Sequence, residues 1–132
     1  MLPKRNKVKH LTMVNKQEFL ETYNYFDKDT LVEIIDIFLS EYEGRIQKIY
    51  TDVREHNFKD LRFDAHGIKG VIANFCAPVP WQVARDLEFS ATSFIENNGA
   101  DFSESKVMEA VDTLRDYVAK MAVDLEEVKA QL

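Results

Sequence analysis

Residues 107–132 read VMEAVDTLRDYVAKMAVDLEEVKAQL, and their apolar positions decide the fold class. Val107, Val111, Leu114, Val118, Met121, Leu125, Val128 and Leu132 recur at spacings that alternate between four and three. That is the stripe of an amphipathic helix, one apolar face along a cylinder of about 3.6 residues per turn. Three more stripes of the same period precede it. Leu31, Ile34, Ile35, Phe38, Tyr42, Ile46, Ile49 and Val53 form one, and Leu61, Ala65, Ile68, Ile72 and Phe75 the next. Ala84, Leu87, Ala91, Phe94 and Ile95 form the third. Short connectors can join only helix ends that lie close together, so the expected fold is all-α, an antiparallel up-down four-helix bundle. A short additional N-terminal helix is expected from Asn15 to about Tyr25.

The breaks between stripes are local. Asn15 with Glu18, and Thr30 with Glu33, have the spacing of N-terminal capping boxes. His56-Asn57 interrupts the second helix, and the third is expected to run from Asn57 to about Cys76. Pro78-Val79-Pro80 ends it, and Pro80 fits the first turn of the next helix. Asn97-Asn98-Gly99-Ala100-Asp101 is a turn before the last helix. The regular final stripe would also suit a coiled-coil dimer, but the bundle reading keeps it inside a monomer.

Composition excludes several classes. A chain of 132 residues with 45% hydrophobic and 30% charged residues is an ordinary globular domain. One cysteine rules out an internal disulfide framework and a Cys-rich zinc site. No apolar run reaches the roughly 18 residues of a membrane-spanning helix. The formal net charge is −6, although Lys4, Arg5, Lys7 and Lys9 stand near the start with no acid among residues 1–10. The remainder is therefore more acidic still, which disfavours nucleic acid as a partner. Residues 1–14 read as a basic, flexible tail and residues 15–132 as the bundle domain. The start lacks the long apolar core of an export signal, and a cytoplasmic location is expected.

One histidine points away from the core. On a helical wheel, His66 falls about 140° and Lys69 about 80° from the centre of the Leu61–Phe75 stripe. Phe63 and Gly70 lie almost opposite that centre, so both should be exposed. Gly67 and Gly70 stand inside a helix, where each costs about 1 kcal/mol relative to alanine. An outward imidazole is an available nucleophile toward a phosphoryl group, with Lys69 balancing the product's charge and the glycines clearing space for a partner. An ordinary surface histidine with two tolerated glycines fits the same geometry.

Residues 65–77, AHGIKGVIANFCA, resemble the signature of the histidine-containing phosphotransfer (HPt) domain family, Ala-His-x-Leu-Lys-Gly followed by small and apolar residues and Gly-Ala. Ile68 takes the Leu place, Lys69, Gly70 and Ala77 match, Leu87-Glu88 matches a downstream pair, and Cys76 departs from the usual Gly. The resemblance spans about residues 15–130. It implies a histidine phosphotransfer protein of a multistep two-component phosphorelay. His66 would be the phosphoacceptor, through Nε2, with Lys69 stabilising the phosphoryl group. Phe63, Gly67, Gly70 and Ala73 would line the docking surface, and Glu88 would orient His66 through Nδ1. The implied partners are a response-regulator receiver domain and a sensor (hybrid) histidine kinase.

No phosphate-binding loop or kinase motif is present. The chain is therefore expected to be a phosphohistidine carrier rather than an enzyme. It would need no cofactor or metal of its own, Mg²⁺ being supplied by the receiver. Glu-x-x-His pairs for a di-iron bundle are missing: Lys7, Val53 and Phe63 stand three before His10, His56 and His66. A Cys76–His66 dyad fails because ten helical residues separate the two by about 15 Å. A bundle of the same kind without phosphotransfer, serving as a protein-interaction adaptor, is the alternative function.

Overall fold

The computed structural model describes residues 12–132, in which no strand occurs. Five helices follow in order: α1, Lys16–Thr22; α2, Lys28–Arg54; α3, Phe58–Ile72; α4, Pro78–Glu96; and α5, Glu104–Gln131. The last four form the bundle. α2 packs on α3 and α5, and α4 packs on α3 and α5, which closes a ring of four neighbours. The apolar stripes face one continuous core: Ile35, Ile49, Leu61, Ile68, Ala84, Val111, Leu114 and Leu125 are all wholly buried. Each such Leu or Ile contributes about 2 kcal/mol of hydrophobic stabilisation. The stripe positions Val107, Val111, Leu114, Val118, Met121, Leu125 and Val128 are buried within the chain, so the final stripe is a core face.

Helix ends differ from the sequence expectation where a stronger acceptor competes. α2 starts at Lys28, two residues ahead of the Thr30 box, because the Asp27 carboxylate accepts from the Thr30 N–H at 2.7 Å. A charged acceptor at the positive end of a helix outbids a hydroxyl. That backbone hydrogen bond holds the Asp27 carboxyl below its ordinary range. Asn15 caps α1 through the Glu18 N–H at 3.0 Å, but its own N–H donates to the Cys76 carbonyl at 2.9 Å. The return arm of that box is thereby replaced by a tertiary bond, and α1 stops at Thr22.

α3 ends at Ile72 and tightens into one 3-10 turn, Ala73–Phe75, before Cys76 takes a left-handed conformation with φ 54°. Left-handed geometry is the usual reason for glycine at a helix end, and here the cysteine adopts it. α4 then opens with both prolines in its first turn, where missing N–H groups leave no helical bond unmade. The α4–α5 turn depends on Gly99, at φ 79°, where a Cβ would stand 3.1 Å from the Phe58 ring.

The boundary of the N-terminal tail moves. Met13 and Val14 are buried, and their N–H groups donate to the Asp124 carboxylate of α5 at 2.7 and 3.0 Å. The packed body therefore includes residues 13 and 14, which composition had placed in the tail. Lys4, Arg5, Lys7 and Lys9 lie outside the described residues.

Candidate functional site

The core stripe of α3 fixes what its other faces present. With Leu61, Ala65, Ile68 and Ile72 buried, Phe63 and Gly70 form the outer crest and His66 lies on the edge toward α4. The His66 side chain is 68% exposed at mid-helix. Its Nδ1 stands 3.0 Å from Oε2 of Glu88, on the facing turn of α4. The other oxygen of Glu88, Oε1, is 2.7 Å from Nζ of Lys69. One carboxylate thus holds both nitrogen groups of the outer α3 face.

The electrostatics follow from that arrangement. Partial burial raises the Glu88 pKa, but the Lys69 ammonium and the His66 ring outweigh it and hold the carboxyl below its ordinary range. Glu88 stays ionised near neutral pH and favours a proton on Nδ1. In that tautomer Nε2 carries the lone pair and faces outward, with no hydrogen-bond partner among the described residues. Lys69 is also steadied by the Trp81 ring, 5.9 Å from Nζ to the ring centroid.

The remaining sequence candidates separate by face. Phe63 is 76% exposed, and Gly70 and Ala73 are exposed, so all three stand on the outer surface. A Cβ at Gly70 would meet nothing within 4 Å, whereas one at Gly67 would touch the Arg45 guanidinium of α2 at 3.4 Å. Gly67 therefore makes room on the α2 edge and Gly70 leaves open space on the crest. Sequence reasoning missed Phe89, 58% exposed one residue beyond Glu88, whose ring carries the Arg85 guanidinium at 4.4 Å. Its place off the α4 apolar stripe was the available signal. Lys59, Arg62, Phe63, His66 and Glu88 border a shallow concavity beside the imidazole.

No three His, Cys, Asp or Glu side chains are grouped to hold a metal ion among the described residues. No described helix is long and apolar enough to cross a membrane.

Comparison with known families decides the assignment. The Hpt domain matches residues 33–122, about two thirds of the chain. The chain belongs to the Hpt domain family. Hpt domains carry phosphohistidine in two-component phosphorelays and interact there with receiver domains and histidine kinases. No curated protein and no solved structure gave a significant match.

Proposed function

We propose that this Hpt protein accepts a phosphoryl group on Nε2 of His66 from a receiver-domain aspartate and passes it to another receiver in a multistep relay. The observation that supports the reading best is the tethering of Nδ1 to Glu88, which leaves Nε2 outward. In the transfer step the Nε2 lone pair attacks phosphorus. The bond from phosphorus to the aspartyl oxygen breaks, and the receiver recovers its carboxylate. The proton stays on Nδ1, donated to the Glu88 carboxylate, so no proton need leave the ring. Bond making and breaking here demand positioning and charge stabilisation more than covalent catalysis.

Lys69, three residues on from His66, is the cation assigned to the new phosphoryl oxygens, and it can exchange its pairing with Glu88 for one with them. The Phe63, Gly70 and Ala73 surface, widened by Phe89, is the docking face, with Gly67 at its α2 margin. The chain acts as a carrier and not an enzyme. A phosphorylated receiver supplies the Mg²⁺, and this chain contributes no cofactor. A sensor (hybrid) histidine kinase feeds the relay, and the protein works in the cytoplasm as a monomer.

Mixing the chain with a phosphorylated receiver and Mg²⁺ tests the proposal. The expected product is an acid-labile, alkali-stable label that disappears in His66→Ala. Absence of label on the wild-type chain would favour the adaptor reading, and label surviving in His66→Ala would place the acceptor elsewhere.

A further inference from the structure

The opposite edge of α3 holds a second group of ionisable side chains that phosphotransfer does not use. Asp52 of α2 is 1% exposed and faces α3. Its Oδ1 accepts from Lys48 Nζ at 2.7 Å, while its Oδ2 is buried without a hydrogen-bond partner. The same Nζ reaches Asp64 Oδ2 at 3.2 Å and Asp60 Oδ2 at 3.5 Å, both on α3. Three carboxyl groups therefore gather on one ammonium.

A buried carboxylate oxygen with no donor is a costly group. A carboxyl O–H in the same place is a donor, and it needs only an acceptor nearby. Asp64, held by the same ammonium, is the candidate acceptor on α3. Two carboxyls that share a site cannot both ionise freely, and such a pair retains one proton between them.

We propose that Asp52 and Asp64 share a proton across the α2–α3 seam, so that the clasp between these helices weakens when rising pH removes that proton. The charged groups facing Asp52 are Lys48 on its own helix and Asp60 and Asp64 on α3. The Asn57 N–H of the α2–α3 loop bonds the backbone carbonyl of Asp52 and adds no charge. Burial and the neighbouring Asp64 carboxyl push the Asp52 carboxyl up to about 7, against the opposing pull of Lys48. The folded chain then binds this proton more tightly than the unfolded chain, in which the group has its ordinary value of 3.8. Stability from this group is full below the unfolded value and is lost as pH rises through the folded one. The proton leaves to solvent, and no other bond is made or broken.

Carbon-13 NMR of the side-chain carboxyls in the full chain reads the proton directly. The expected midpoint for Asp52 is about 7. Asp64→Asn should lower it by about one pH unit or more, because the amide can donate to an ionised Asp52. Urea unfolding gives the second readout. Relative to Asp52→Asn, the wild-type unfolding constant should rise tenfold or more between about pH 5 and about pH 8. A midpoint in the ordinary carboxylate range would overturn the proposal. So would a midpoint near neutrality that Asp64→Asn leaves in place, since burial alone would then explain it. Neither measurement involves a receiver, so failure here leaves the phosphotransfer reading untouched.

Discussion

The two edges of α3 carry the same kinds of group in opposite proportions. Toward α4, a single carboxylate serves an imidazole and an ammonium. Toward α2, a single ammonium serves three carboxyls. On the first edge negative charge is scarce, so Glu88 stays ionised and one nitrogen of His66 is left outward. On the second edge positive charge is scarce, and the most buried carboxyl is pushed toward neutrality. Solvent access follows the same division: His66 is 68% exposed, and Asp52 is almost wholly enclosed. Stoichiometry around one helix is enough to make one edge chemically available and the other a structural clasp.

The comparison can be broken in order of effect. His66→Ala should abolish receiver-dependent labelling outright while leaving the helical circular dichroism unchanged, because the removed ring packs on little. Glu88→Ala should slow labelling about tenfold to a hundredfold, since a nucleophile no longer held in line forfeits part of the advantage of orientation. Glu88→Gln, which can still accept from Nδ1, should recover much of that rate in the same assay. On the other edge, Lys48→Met should lower stability by about 1–2 kcal/mol in urea unfolding; removing one partner of a buried pair costs more, but half of the Lys48 side chain is in water. Labelling of that variant should persist. Gly70→Ala sharpens the distinction with the smallest change in stability. It should raise stability by about 0.5–1 kcal/mol, because helix propensity improves and the new methyl meets open space. Transfer from the receiver should nevertheless slow if the crest is the docking face.

The bundle was legible because burial follows the apolar period closely: nearly every residue of the four stripes is in the core, with Ile34, Tyr42, Ile95 and Leu132 at its margin. The outward placement of His66, Lys69 and Phe63 was legible for the same reason, since a helix with a known inner face has a known outer one. Contacts between distant segments were not. Spacing cannot reveal that Glu88 and His66 face each other across two helices, although the family pattern pointed there. Asp52 had no signal either. It interrupts no stripe, and a charged residue beside Val53 reads as surface until α3 covers it. The Thr30–Glu33 spacing masks the Asp27 cap three residues before it, because spacing alone does not rank a carboxylate acceptor above a hydroxyl.

The capture of the Met13 and Val14 amides by Asp124 has a practical bearing on how the protein is handled. A clone begun at Asn15, where the first helix cap starts, would deprive an enclosed carboxylate of both its donors and uncover the groove those two side chains fill. Recombinant versions should therefore retain Met13 and Val14.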